Sequence, residues 1–484
     1  MKIAKMLLKA TRIFSAFILF SIFASQCFSQ SNSSSSDIDS AKQRQFLKVI
    51  DQLYYFIQQN YVEEVDPQIL YEGALKGMLG ALDDPYSVYM AQSEWRSLTD
   101  TTVGNFGGVG LSITKPLVST EEKPAYVEVA EPIENTPGAK AGIQSGDLIV
   151  AVDGVDTSTI TMDEVLSMLR GTVGESVTVK IRRRNTLEFE RTLVRAVIQN
   201  PSVKYGMIEG EKIGYLRLTE FSVNTAAKVQ EALDSFKEAL FNGLIIDLRN
   251  NGGGLLDSAV DIADKFIDEG IIVSTKSRLA YENAVYHAVK RKTVVRGIPI
   301  VVLINRATAS ASEILSGALK DTKTAYLVGE KSFGKGSVQV PRGLVNNDGF
   351  KITVAKYYSP SDTNIDKIGI KPDLEVLYPD FTEEEQKDWH ALEESGAIAD
   401  YVDSHQNMTE AEIASYAKTL QTKYKLEERL LRKMIRNELD RTRSPRLYDL
   451  DYDSQLKAAI EVIKGGNFAE LMASTKTLKE QQEQ

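Results

Sequence analysis

Three short stretches of this chain carry residue types that do chemistry. The first, RATASASEIL at residues 306–315, places Ser310 and Ser312 where an apolar run gives way to a helical pattern. Ser310-x-x-Glu313 ahead of an apolar helix is a capping box, in which the serine caps the helix and the glutamate returns the bond. The same placement suits a nucleophile. A serine at a strand-to-helix turn holds its hydroxyl beside free helix N–H groups that can receive a developing oxyanion. Ala309 and Ala311 are small enough to let a substrate backbone approach. Ser312 falls inside the first helical turn. Residue types alone leave cap and nucleophile both open.

The second stretch is DLRNNGGGLLD, residues 247–257. Glycines after an apolar strand can present backbone N–H groups to an anion. They can equally mark a turn where side chains do not fit, with Arg249 and Asn250 bracing it. The G-x-G-x-x-G spacing of a dinucleotide site is absent. The third stretch is GEKSFGKGSVQV, residues 329–340. Gly329, Gly334 and Lys335 nearly spell a phosphate loop. Gly336 stands where that loop needs Ser or Thr for magnesium, and the strand-like SVQVPRGL that follows supplies no helix N-terminus.

A serine nucleophile needs a base. The chain has three histidines, His287 in a polar segment and His390 and His405 in the charged tail. None sits at the end of an apolar strand, which argues against a Ser-His-Asp relay and leaves a Ser-Lys pair as the available substitute. The lysine must be neutral to accept the serine's proton. Its ordinary pKa is about 10.4, so the site must bury it.

The elements that position these stretches read as follows. Residues 41–100 are expected to be helical, from the apolar spacing in FLKVIDQLYYFIQQNYV and PQILYEGALKGMLGAL, with DDPYSVYM as a break. Residues 101–197 form a β-rich module, with strands in YVEVAEPI, GDLIVAVDGV and SVTVKIRR and turns at Pro137-Gly138 and Asp153-Gly154. From 198 to 378 strands alternate with helices, which predicts an α/β core around a buried sheet. Residues 379–484 are charged and helical, a packing or dimerisation region. No internal repeat is visible.

Residues 1–29 combine Lys2, Lys5, Lys9 and Arg12 with the apolar IFSAFILFSIFA and a polar flank, the pattern of a secretory signal cleaved near Ser25 or after Ser29. The apolar run is short for a spanning helix, which needs about 20 residues; a short uncleaved anchor is the competing reading. Residues 30–40 read as a Ser-rich linker. Cys27, the only cysteine, is either lost with the signal or lipid-modified as a mature N-terminus, although Gln26 before it fits lipidation poorly. Either way the exported body has no disulfide, which a chain this long does not require. Of 484 residues, 43% are apolar and 26% charged, as in ordinary globular proteins, and the net charge of -10 gives no basic face for nucleic acid.

Taken together, ATASASEILSGALKD, GKGSVQ, DLRNNGGG, LDDPYSVYM and GIKPDLEV resemble the signatures of the carboxyl-terminal processing proteases, also called tail-specific proteases. The β-rich module resembles a PDZ domain through GGVGLSI and TPGAKAGIQSGDLIVAVDG. The resemblance spans roughly residues 45–378, with the motifs in consistent order. It implies an α/β fold, a crotonase/ClpP-like protease core with an inserted PDZ domain and helical ends. It implies Ser310 as nucleophile, Lys335 as general base and Gln339 as the residue orienting the lysine. Oxyanion donors would be the N–H of Ala311 and that of Gly253 or Gly254. The PDZ loop Gly107, Gly108, Val109, Gly110 and Leu111 would hold a substrate's C-terminus, so protein or peptide substrates are the expected partners. No metal or organic cofactor is implied. Homo-oligomerisation through the helical ends and membrane attachment through the N-terminus are further expectations. Gly252 and Thr308 depart from the family's more frequent proline and serine without touching a catalytic role. Two other classes compete: a PDZ-bearing scaffold without activity, disfavoured by the intact Ser310, Lys335 and Gln339, and a crotonase-like thioester enzyme, disfavoured by the PDZ module and the Ser/Lys pair.

Overall fold

The computed structural model describes residues 36–116, 124–133, 135–183, 187–199, 201–378, 381–405, 407–440 and 446–483. The N-terminal 29 residues and Cys27 lie outside these. Among the described residues no helix is long and apolar enough to cross a membrane.

The chain divides into two compact units, residues 1–78 and 79–484. The first contains the helix Ser36–Asn60 and most of the helix Pro67–Gly80, and Tyr54 Oη donates to the Pro67 carbonyl at 3.3 Å between them. The helix begins inside the expected linker 30–40. The residues after the serine run include Asp37 and Asp39, a composition favoured at a helix start.

The core of the second unit is a six-stranded sheet. Val203–Met207 runs antiparallel to Ile213–Leu218; Gly243–Asp247, Ile300–Ile304, Tyr326–Gly329 and Leu374–Glu375 then follow in parallel. Every residue of Gly243–Asp247 and Ile300–Ile304 is buried. This two-sided burial is why both read as continuous apolar runs and not as alternating ones. Leu244, Ile246, Ile300, Val302 and Ile304 point to one face, where the helices Thr225–Glu238, Leu256–Ala263 and Ala311–Asp321 supply Leu233, Phe236, Ile262, Leu315 and Leu319. Ile245, Val301 and Leu303 point to the other and meet Leu456, Ala459 and Ile460 of the helix Ser454–Lys464. Residues 379–484 are therefore not one separate domain. The helices between 383 and 440 make their own apolar cluster, around Leu392, Ile413, Leu431 and Ile435, and the last helices complete the core.

A second sheet pairs Gly349–Tyr358 with Ser337–Gly343, Ile271–Lys276 and Val88–Met90, and Ile271–Lys276 with Ala284–His287. The strand Val88–Met90 falls within the break expected at DDPYSVYM: these three residues gain a tertiary partner in Gly349–Lys351. The β-rich module holds Leu111–Thr114, Val127–Pro132, Leu148–Val152, Ser176–Arg183 and Leu187–Val194 in one antiparallel sheet, in that order. Val127, Val129, Ile149, Val152, Val179 and Ile181 form its core. Asn105–Gly108 pairs with Ala196–Gln199 at its base. The expected boundary at 101 falls inside the helix Gln92–Val103.

Candidate active site

The three stretches singled out by residue type leave the carboxyl ends of three neighbouring parallel strands. The glycine loop follows Gly243–Asp247, the serine turn follows Ile300–Ile304, and the lysine loop follows Tyr326–Gly329. The serine strand is the middle one. Ligands of open α/β sheets gather at these ends, where the loops converge.

Ser310 is the residue before the helix Ala311–Asp321, with φ 56° and ψ −118°. A non-glycine residue rarely adopts this backbone, and holding it there costs ~1–3 kcal/mol. The flanking strand and helix have the means to impose it, since each fully buried Leu, Ile or Val contributes ~1.5–3 kcal/mol. A sharp turn of this kind projects a serine hydroxyl away from the backbone. Only half of the capping box forms. Ser310 N–H donates to Glu313 Oε2 at 2.9 Å, but the Ser310 hydroxyl makes no cap bond, and Glu313 N–H donates to the Ser310 carbonyl instead. Ser312, by contrast, spends its hydroxyl on the Asn251 carbonyl at 3.0 Å, fully buried.

Glu313 does more than cap. Its buried carboxylate also accepts from Lys335 N–H at 2.9 Å on Oε2, and from Gly334 N–H at 2.7 Å and Ser332 Oγ at 2.6 Å on Oε1. One side chain thus holds the serine turn to the lysine loop. Burial raises its pKa, and the four donors oppose that rise. Tyr357, from the second sheet, makes a second tie. Its hydroxyl lies 2.5 Å from the Lys335 carbonyl and 3.3 Å from that of Ser310.

Lys335 is half-buried. Burial lowers its pKa and Lys351 adds to the effect, while Glu313 and Asp84 oppose it. Its Nζ lies 5.0 Å from the centre of the Tyr86 ring. The loop carrying Tyr86 is held by Ser87 Oγ to Asp84 at 2.5 Å and Thr353 N–H to Ser87 Oγ at 3.0 Å. No hydrogen bond joins Lys335 Nζ to the Ser310 hydroxyl among the described residues. Gln339 likewise makes none to the lysine; its Nε2 donates to Ser337 Oγ at 2.9 Å and Thr353 Oγ1 at 3.1 Å.

The glycine loop is sewn to the serine turn through Asn251. Its carbonyl accepts from Ala309 N–H at 3.0 Å and its side chain donates to the Leu218 carbonyl at 2.9 Å. Gly253, at φ 103°, lies so close that a Cβ there would stand 2.7 Å from Ser310 Cβ and 2.8 Å from Ala311 N. Gly254, at φ 142°, is pressed against the Phe221 backbone, where a Cβ would meet the carbonyl oxygen at 2.2 Å. The Gly253 N–H is taken by Asn251 Oδ1 at 2.9 Å. Of the two glycines, Gly254 is the one whose N–H has no partner among the described residues, and Ala311 N–H, at the helix start, has none either. The loop is braced as its residue types foreshadow. Arg249 contacts the carboxylates of both Asp247 and Asp453 at 2.6–2.9 Å, and Asn250 exchanges hydrogen bonds with Asn305 at 2.9 and 3.0 Å.

In the β-rich module, Gly107 to Leu111 packs on the start of the short helix Pro137–Lys140. Gly138 N–H donates to the Val109 carbonyl at 2.8 Å, and Thr136 Oγ1 to that of Gly110 at 3.1 Å. Gly108 pairs with Ala196. Leu111–Thr114 is an end strand of its sheet, and among the described residues no strand pairs with its other edge. Among the described residues no group of His, Cys, Asp or Glu is arranged to hold a metal ion.

Of the residues that contact these loops, Tyr357 has no local signature in the sequence, whereas Tyr86 lies in the LDDPYSVYM motif, which marks the segment but not its contact with Lys335. Glu313 has a signature too: the S-x-x-E spacing marks its bond to Ser310, though not its grip on the lysine loop.

The chain matches Peptidase family S41 over residues 212–376, the activating protease CtpB N-terminal domain over 10–94, and the PDZ domain over 128–183. A carboxy-terminal-processing protease of Bartonella bacilliformis is 39% identical over 328 residues, 67% of this chain and 73% of its own length. The carboxy-terminal processing protease CtpA of Bacillus subtilis is 32% identical over 86% of this chain and 90% of its own. The solved photosystem II D1 C-terminal processing protease is 30% identical, with 68% of this chain and 92% of that one covered at a TM-score of 0.41.

Proposed function

The chain belongs to the carboxy-terminal processing serine proteases of peptidase family S41 and carries a PDZ domain, and from that premise we propose that Ser310 and Lys335 are its catalytic dyad. The observation that carries this reading is Glu313 Oε2, which accepts from the backbone N–H of both residues at 2.9 Å. Lys335, whose pKa burial lowers, takes the Ser310 proton in its neutral form once its side chain leaves the Tyr86 ring. Ser310 Oγ attacks the scissile carbonyl, and the oxyanion is received by the N–H groups of Ala311 and Gly254. The C–N bond breaks as the lysine returns the proton to the leaving amine. Water, deprotonated by the same lysine, then hydrolyses the ester. Gln339, 2.9 Å from Ser337 Oγ, reorients to hold the lysine in its catalytic position.

The substrate's C-terminal segment adds to the open edge of Leu111–Thr114, its carboxylate held by residues 107–111. The N-terminal 29 residues direct export to the cell envelope, with cleavage, lipidation of Cys27 or retention as an anchor as the three routes. The helix Ser36–Asn60 exposes Phe46, Leu47, Ile50, Leu53 and Phe56; an apolar run of this kind fits a second copy of the chain, and light scattering of the full chain would return a monomer if that is wrong.

Ser310→Ala tests the dyad. It should abolish cleavage of an unfolded protein with an apolar C-terminus and leave stability within about 0.5 kcal/mol, because the Ser310 hydroxyl makes no cap bond and has no other hydrogen bond among the described residues. Equal turnover by wild type and variant would sink the assignment.

A further inference from the structure

The lysine loop carries one large apolar side chain that the catalytic steps do not use. Phe333 is 55% exposed, although Ser332 and Gly334 on either side of it are buried. The backbone imposes this exposure. Ser332 N–H donates to the Ile370 carbonyl at 3.0 Å, and Ile370 N–H donates to Ser332 Oγ at 2.7 Å. A Cβ on Gly334 would stand 2.7 Å from Gly369 N, and one on Gly336 would stand 2.6 Å from Asp366 N. Positions 332, 334 and 336 are thus pressed against residues 365–370. Positions 333 and 335 are left to carry the large side chains, and Lys335 is one of them.

The loop also runs in step with the serine turn. Phe333 N–H donates to the Thr308 carbonyl at 3.0 Å. Two residues further along both segments, the N–H groups of Lys335 and Ser310 share Glu313 Oε2. Phe333 therefore stands beside Thr308 as Lys335 stands beside Ser310. A single exposed phenylalanine is ordinary elsewhere on a protein surface. This one is fixed by buried backbone bonds at the edge of the nucleophile's turn, so a substrate that covers it gains apolar burial with little further ordering of the loop. The side it serves follows from the strand order. The glycine loop, with the Gly254 donor, lies on one side of the serine strand and the lysine loop on the other. Lys335 returns its proton to the leaving amine, so the leaving segment faces the lysine loop and Phe333.

We propose that Phe333 is a specificity-determining residue whose ring packs on an apolar side chain of the substrate residue directly after the scissile bond. This role rests on the dyad of Ser310 and Lys335.

The test begins with a reduced, alkylated protein with an apolar C-terminus, digested by the full chain, its new termini mapped by mass spectrometry. Peptides spanning one mapped site then carry Leu or Ser directly after the bond. Wild type should cleave the Leu peptide with a kcat/KM at least about tenfold above the Ser peptide. In Phe333→Ala the two should come within about twofold of each other, through loss on the Leu peptide, and Phe333→Leu should keep most of the preference. Discrimination at the residue before the bond should be the same in all three. The thermal unfolding midpoint should stay at the wild-type value, because the ring is exposed. Cleavage by wild type with the Leu-over-Ser ratio absent, or unchanged in Phe333→Ala, overturns the inference and leaves the dyad standing, as does a change confined to the residue before the bond. No cleavage by wild type, or equal turnover by Ser310→Ala, overturns the dyad and this inference with it.

Discussion

Glu313→Gln keeps the shape of the side chain and removes one acceptor oxygen. The carboxylate accepts four hydrogen bonds, two on each oxygen. An amide nitrogen on the Oε2 side would face the N–H groups of both Ser310 and Lys335. On the Oε1 side it would face Gly334 N–H and the Ser332 hydroxyl, which can turn and accept. The second orientation is therefore favoured and leaves one buried N–H unpaired, at ~1–3 kcal/mol. The remaining bonds lose charge assistance, roughly another 1 kcal/mol. Relief of the buried charge offsets part of this, because burial already raises the Glu313 pKa. A net loss of ~1–3 kcal/mol is expected. The sign of the pH dependence follows. A carboxyl whose folded pKa is raised stabilises the fold below its unfolded value of about 4.3, and that contribution is lost as pH rises through the folded value. Wild type and Gln variant should thus differ less at about pH 8 than at about pH 5. Urea unfolding followed by the fluorescence of Trp95 and Trp389 measures the stability, and cleavage of a peptide substrate measures kcat, expected to fall by at least about tenfold as the two loops lose their common anchor. A variant within about 0.5 kcal/mol and twofold of wild type at both pH values would refute this account.

Lys335→Met should abolish cleavage yet raise stability near neutral pH, since a lysine whose folded pKa is lowered by burial penalises the fold below that value. In wild type, cleavage should rise with pH along a limb whose midpoint lies below about 10.4; a flat rate from about pH 6 to 10 would exclude a lysine base. Gly253→Ala places a methyl 2.7 Å from Ser310 Cβ at φ 103°; kcat should drop by about 100-fold or more while circular dichroism stays native, and normal turnover would remove the glycine loop from the mechanism. Arg249→Met strands the Asp247 and Asp453 carboxylates, so the denaturant midpoint should fall by the equivalent of ~3–5 kcal/mol, and limited proteolysis should reach residues after 440 sooner.

Some of the site was legible and some was not, for reasons visible at single residues. The S-x-x-E spacing marked a helix start at Ser310, because capping chemistry acts over three residues. It also implied a cap bond from the Ser310 hydroxyl that does not form: Ser310 stands at φ 56° where an N-cap residue is ordinarily extended, and Glu313 N–H donates to the Ser310 carbonyl. Nothing near Tyr357 announces its bonds to Ser310 and Lys335, 47 and 22 residues away. Gln339 reads as a partner of the lysine by resemblance, yet its neighbours are Ser337, two residues before, and Thr353, across a hairpin register that includes a bulge. The tail read as one charged helical region, although Leu456 and Ile460 are buried on the sheet.

By itself, the sequence determined the kinds of element, their order and the turns between them, since periodicity, glycine and capping residues act within a few positions of where they stand. It also carried the motifs by which the family resemblance was recognised. Only the tertiary structure decided that Ile300–Ile304 lies between Gly243–Asp247 and Tyr326–Gly329, and so that three loops separated by up to about eighty residues meet at one edge. Neighbour order in a sheet minimises exposed apolar surface over all strands at once, which no window of sequence contains. The setting of Lys335 was decided the same way. Its pKa depends on burial and on Lys351, Glu313 and Asp84, groups drawn from three distant parts of the chain.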